Sequence, residues 1–171
     1  STRYPGKPLC LIHGVPMIEH CYLRCQLSDN VDKVFLAICD EEIESFAKKN
    51  NFNYVMTNPN IQRPGLRVAE AASKMNLDKD DIVVVVQGDE PMITPEMIDL
   101  SLNPFFDKSQ DEQIKIVNLC KEISKEDYLD QNEIKVVCDN KMNAMYMSRS
   151  PIPSTFHEEI RAKWFKQVCV M

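Results

Sequence analysis

Ile82-Val83-Val84-Val85-Val86 runs straight into Gln87-Gly88-Asp89-Glu90-Pro91, and the reading of this stretch decides the fold. Five successive β-branched residues without polar alternation predict a strand buried on both faces, as in a parallel sheet covered by helices. Parallel strands need crossovers, and the flanking sequence offers them. Towards the N-terminus, residues 68–75 are rich in helix formers, and residues 52–56 and 34–38 are short apolar runs of strand length. Between those runs, Asp40 stands as a helix N-cap, with Glu41 and Glu42 in the first turn and Ile43, Phe46 and Ala47 at helical spacing. Val15-Pro16 opens a further helix, with Ile18, Tyr22 and Cys25 on one face. Towards the C-terminus, Thr94-Pro95-Glu96 combines a capping hydroxyl, a proline at the first helical position and an acid behind it. Helix and strand thus alternate through the first hundred residues, which predicts an α/β fold with a mostly parallel sheet flanked by helices.

After Gln113 the texture changes. Residues 114–119, 134–138, 144–148 and 165–171 read as strands with short links, and Asn140-Lys141 sits where a hairpin turn belongs. With 171 residues and no repeat or linker, the expectation is a single domain over residues 1–171. A net charge of −6 argues against a broad nucleic-acid surface but leaves room for one local basic pocket. The longest apolar run is strand length, so no membrane helix and no membrane partner is expected. Seven cysteines, an odd number scattered among apolar residues, read as reduced thiols of a cytoplasmic protein. Cys21 and Cys25 lack the second ligand pair that a structural zinc would need.

Four segments have the composition for chemistry. Ser1-Thr2-Arg3-Tyr4-Pro5-Gly6-Lys7-Pro8-Leu9 gathers hydroxyls, cations and a glycine, which suits phosphate; it also suits a solvated loop. Gln87-Gly88-Asp89-Glu90-Pro91 puts a carboxylate at the carboxyl end of the predicted central strand. Ligands of open α/β sheets bind there, and Asp89 is placed to hold Mg²⁺; a plain strand-end turn has the same composition. Gln62-Arg63-Pro64-Gly65-Leu66-Arg67 sets two cations at a helix start, for an anion or for solvent. In Tyr146-Met147-Ser148-Arg149-Ser150-Pro151-Ile152-Pro153, Arg149 can pair with a carboxylate in two-pronged fashion. Asp78-Lys79-Asp80 is similar to a glycosyltransferase metal motif, but it precedes the strand and reads as a turn. His13, His20 and His157 come with no nucleophile-and-acid arrangement, so triad hydrolysis has no support.

Taken in order, these segments resemble the sugar-acid cytidylyltransferases, in particular the 3-deoxy-manno-octulosonate (Kdo) cytidylyltransferase family. The resemblance is carried by the residue 1–9 loop, Gly14-Val15-Pro16-Met17-Ile18, Gln62 with Arg67-Val68-Ala69-Glu70, and Val86-Gln87-Gly88-Asp89-Glu90-Pro91-Met92-Ile93. Asn132-Glu133-Ile134-Lys135-Val136-Val137 and the residue 146–153 segment complete it. It implies a Rossmann-like nucleotide-diphospho-sugar transferase fold and a Mg²⁺-dependent enzyme. That enzyme joins CTP to a 3-deoxy-sugar acid, releasing pyrophosphate and a CMP-sugar for lipopolysaccharide or surface polysaccharide synthesis. It implies catalytic roles for Lys7 and Asp89, with Asp89 on the metal. Ser1, Arg3, Lys7, Gln62 and Arg67 would lie at the nucleotide, and Gln87, Arg149 and Gln167 at the sugar. A homodimer through the hairpin region is implied as well.

The departures carry expectations of their own. The family pattern has a strand before Ser1 and a segment with a second metal-binding Asp after Met171, so the chain is expected to be an incomplete copy at both ends. Gly65-Leu66 stands where the family has Thr and an acid, and Gln167 where octulosonate enzymes carry a sugar-contacting His. The second change opens the sugar to an amino-substituted octulosonate or, as the alternative, a nonulosonate of the acylneuraminate type. The first leaves a nucleotide-binding homologue without turnover as the other reading.

Overall fold

The computed structural model describes residues 6–107, 114–154, 163–168 and 170. The chain gathers into two compact units, Ser1–Lys115 with Val170–Met171 and Ile116–Cys169.

The first unit begins with a 3-10 turn at Lys7–Leu9, entered from Gly6 in the left-handed region at φ 72°. A two-stranded antiparallel ribbon follows, β1 (Leu11–Ile12) with β2 (Val15–Pro16), and then α1 (Met17–Cys25). Val15-Pro16 therefore closes a ribbon and the helix starts one residue later, because the ribbon takes up the backbone groups of Val15. β3 (Leu36–Ile38), α2 (Glu41–Lys49) and β4 (Tyr54–Met56) form a β-α-β unit, with β3 and β4 parallel and Ala37 opposite Val55. Asp40 occupies the N-cap of α2 as expected, but its side chain caps nothing; the dipole is met by Glu41, Glu42 and Glu44 in the first turn. α3 (Pro64–Lys74) starts four residues ahead of the predicted 68–75, since a proline at the first helical position sacrifices no bond. α4 (Pro95–Phe106) begins where predicted, and Thr94 Oγ1 accepts from Met97 N.

Ile18, Tyr22, Leu36, Ile38, Ile43 and Ala47 form the core of this unit. Tyr22 ties α1 to the β-α-β unit. Its ring stacks on Phe52 at 4.1 Å, its hydroxyl donates to Val34 O, and it accepts from Asn53 N.

Residues 82–86 correct the opening expectation. Among the described residues, 82–85 join no ladder, and Val86 makes a lone antiparallel bridge to Val170. Ile82 and Val83 are 39% and 42% exposed. β-Propensity favours an extended backbone, but a strand exists only where a second backbone supplies donors and acceptors. Nor is the observed sheet mostly parallel: β3–β4 is the sole parallel ladder among the described residues.

The second unit is a four-stranded antiparallel sheet in the order β5-β8-β6-β7, built from β5 (Cys120–Glu122), β6 (Lys135–Cys138), β7 (Ala144–Ser148) and β8 (Phe165–Gln167). β7 matches its predicted bounds. The strand expected at residues 114–119 is irregular, and pairing begins only at Cys120, where β8 lies alongside. The hairpin between β6 and β7 turns at residues 139–143. There Asp139 accepts from Lys141 N, Asn143 N and Asn143 Nδ2, which holds its carboxyl below the usual range, Asn143 being the main cause. A short helix, α5 (Lys125–Leu129), was not legible in the sequence; Ser124 caps it. Tyr128 from α5 stacks on Trp164 at 4.6 Å and donates to Pro153 O. None of the helices among the described residues is long and apolar enough to cross a membrane.

Candidate active site

Two segments far apart in sequence meet in the first unit. Gly6 turns the chain into the Lys7–Leu9 turn, closed by Leu9 N to Gly6 O and Cys10 N to Lys7 O. After residue 86 the chain bends in a turn closed by Glu90 N to Gln87 O, with Asp89 at its exposed tip. Lys7 Nζ lies 2.7 Å from Asp89 Oδ2, and the two side chains remain 36% and 41% exposed. The cation predicted for phosphate and the carboxylate predicted for a metal are therefore in direct contact and open to solvent.

α1 underlies this pair. Ile18 supports Gly88: a Cβ built there would touch Ile18 at 3.8 Å, an ordinary contact, and Gly88 is not in the left-handed region. Arg24 donates to Ile93 O, and Ser28 and Asn30 beyond the helix both donate to Asp99 on α4, holding its carboxyl below the ordinary range. Cys21 lies under the turn, its thiol pushed up chiefly by burial and further by Asp89 and Glu90. Burial, with Cys21 beside it, raises Cys25 to about 11. Both thiols stay protonated at neutral pH, as buried cysteines do.

The loop after β4 carries Gln62, which is exposed. Arg67 on α3 donates to Thr57 Oγ1, Ile61 O and Asn58 O, so its guanidinium holds this loop. Glu70 accepts from Asn58 N with both oxygens, and Lys74 bridges Glu70 and Met56 O. The Lys74 ammonium, followed by Asn58 N, holds the Glu70 carboxyl below the ordinary range. Glu70 and Lys74 were missed as loop anchors, though their i,i+4 spacing was visible. Ser1 and Arg3 lie outside the described residues. The Asp78-Lys79-Asp80 segment is a turn as expected, with Asp78 N bonded to Asp81 Oδ2 and Asp81 N to Asp78 O. Gln87 is half-buried at the first position of the Asp89 turn.

The remaining expected residues belong to the second unit. Arg149 follows β7, and its Nη1 donates to Gln131 O and Asn132 O at 3.2 and 2.7 Å. Gln167 is half-buried in β8 opposite Cys120, and its backbone N–H donates to Ile134 O.

No group of three His, Cys, Asp or Glu side chains converges among the described residues. Mg²⁺ usually needs no such cage: one or two carboxylates, substrate phosphates and water complete its shell. A solvent-open Asp89 at a turn tip, beside a phosphate-type cation, fits that mode of binding.

Residues 1–168 match the model of a family described as Cytidylyltransferase. The chain is 39% identical over 165 residues to the 3-deoxy-manno-octulosonate cytidylyltransferase of Pelobacter propionicus, covering 96% of this chain and 60% of that protein. It is 38% identical over 154 residues to the 8-amino-3,8-dideoxy-manno-octulosonate cytidylyltransferase of Shewanella putrefaciens, covering 90% and 62%. A solved structure of CMP:2-keto-3-deoxy-manno-octonic acid synthetase complexed with CTP superposes with a TM-score of 0.89 at 33% identity, over 99% of this chain and 68% of that one. The chain thus spans about three fifths of the length of these curated relatives. A family model matched almost end to end, and a shared backbone path, make it a member of the cytidylyltransferase family.

Proposed function

We propose that the protein activates a 3-deoxy-octulosonate-type sugar acid with CTP, giving the CMP-sugar and pyrophosphate. The observation that carries this reading is the 2.7 Å approach of Lys7 to Asp89 at the carboxyl end of residues 82–86. The reaction joins an anomeric sugar oxygen to the α-phosphorus of CTP and breaks the bond from that phosphorus to the bridging oxygen of the leaving pyrophosphate. Its difficulty is charge, so positioned cations supply most of what is needed.

In this reading Lys7 leaves Asp89 and takes the triphosphate, stabilising the charge that builds on the leaving group. Asp89, once released, would be the residue to hold Mg²⁺, whose contribution would be to neutralise phosphate charge. Ser1, Arg3 and Gln62 contact the nucleotide. Arg67 serves it by fixing the residue 57–62 loop, the role its three acceptors support. Gln87, Arg149 and Gln167 read the sugar acid. The homodimer contact is β7, an edge strand with Met145, Tyr146 and Met147 exposed in succession. A cytoplasmic location and a product destined for lipopolysaccharide belong to the same reading.

The relatives' names favour octulosonates, including the 8-amino form, over nonulosonates. The test is pyrophosphate release from CTP with each acid in turn, the nucleotide product being weighed by mass spectrometry. CMP-octulosonate formation is expected. Turnover with nonulosonates alone moves the substrate class, and CTP binding without any product leaves a non-catalytic homologue.

A further inference from the structure

Among the described residues Lys135 is the largest fully buried side chain, at 0% exposure, and neither the fold prediction nor the site described above gives it a task. A buried ammonium is costly unless its donors are all satisfied. Lys135 satisfies them on main-chain carbonyls alone: Asp130 O at 2.7 Å, Glu133 O at 2.8 Å and Arg149 O at 2.6 Å. An apolar residue in β6 would fill the same space without this cost, so the charge calls for a reason.

Arg149 supplies it. While its own carbonyl receives Lys135, its Nη1 reaches back to Gln131 O and Asn132 O. The four successive carbonyls from Asp130 to Glu133 are thus all engaged by these two cations. Lys135 clamps the residue 130–133 turn to the backbone of Arg149 from inside, and the turn grips one nitrogen of the guanidinium from outside. The Arg149 side chain stays exposed, and its Nε and Nη2 make no bond among the described residues. A guanidinium pinned at Nη1 has spent its rotamer freedom before any ligand arrives. Its remaining edge has the spacing for a two-pronged grip on a carboxylate.

We infer that Lys135 is the positioning residue for the carboxylate of the acidic sugar: it acts through the residue 130–133 turn to fix the Arg149 guanidinium. This rests on the functional reading above.

The test compares wild type, Lys135→Met, Lys135→Arg, Arg149→Ala and the Lys135→Met/Arg149→Ala double variant. KM is measured separately for CTP and for 3-deoxy-manno-octulosonate or its 8-amino analogue. Lys135→Met should raise the sugar-acid KM about tenfold or more while the CTP KM moves by less than about twofold. Lys135→Arg, which keeps a cation with several donors, should restore part of the loss. In the Arg149→Ala background, Lys135→Met should add almost nothing, since it acts through that side chain. If Lys135→Met does not fold, Lys135→Arg carries the test, with a several-fold rise in sugar-acid KM alone. An unchanged sugar-acid KM, equal rises for both substrates, or additive losses in the double variant overturn the inference while leaving the functional reading intact. A wild type that makes no CMP-sugar from either acid overturns both.

Discussion

Lys7 and Asp89, separated by 82 positions in sequence, stand in a direct ion pair at 2.7 Å. Each neutralises the other where the proposed reaction needs both to face outward, one to phosphate and one to metal. An exposed pair of this kind contributes about 0–1 kcal/mol to stability, so it is cheap to open. Triphosphate and metal should therefore bind as a coupled pair, since the phosphate that draws Lys7 away frees Asp89. Mn²⁺ affinity is expected to rise at least about fivefold when CTP is present, and by the reciprocity of coupling CTP affinity should rise equally with Mn²⁺. Titration of each alone and together checks this; independent binding contradicts it.

Lys7→Ala should weaken CTP about 10- to 100-fold, the scale of one lost charge-assisted contact, with a much smaller effect on the sugar acid. Steady-state KM values for both substrates decide it. An equal loss on both sides would remove the triphosphate role.

Gly88→Ala should fold and work. The residue is not in the left-handed region, and the added methyl would make ordinary contact with Ile18 at 3.8 Å. A change between zero and a gain of about 1 kcal/mol in urea unfolding is expected, from the stiffer unfolded chain. A large loss of stability would show that the Asp89 turn is tighter than its geometry implies.

The residue 57–62 loop should loosen in acid. The Glu70 carboxyl, held low by Lys74 and Asn58 N, contributes stability that is present above its ordinary pKa of 4.5 and is lost as pH falls through its depressed folded value. Glu70→Gln should flatten that acid limb of the melting-temperature profile while leaving the neutral range nearly unchanged. Amide exchange at Asn58, compared between pH 6 and pH 3, gives the local reading. Unchanged acid sensitivity in Glu70→Gln would contradict this account.

Much of the frame was legible because it rests on local chemistry. Thr94-Pro95-Glu96 starts a helix wherever it stands, and the residue 144–148 strand and its Asn140-Lys141 turn are set by short-range pattern. The Lys7 and Asp89 segments were each ambiguous, and meeting in space is what gives them a common meaning. Residues 82–86 were misread because composition reports how a segment tolerates burial, whereas a ladder depends on a neighbour that local pattern cannot supply. Arg67 and Arg149 stand out in the sequence as cations at segment ends, but their carbonyl partners are products of tertiary structure. Lys135 was hidden for the same reason: charged residues are almost never fully buried, and only the closed carbonyl ring around its Nζ explains the exception.

Calorimetric titration of CTP with Mg²⁺ into wild type, Lys7→Ala, Asp89→Asn and the double variant tests the central claim most directly. The account predicts tight binding by wild type and a marked loss in Lys7→Ala. For Asp89→Asn it predicts the loss of the Mg²⁺ dependence, with an unchanged melting temperature. Wild-type affinity and Mg²⁺ dependence in both single variants would contradict it.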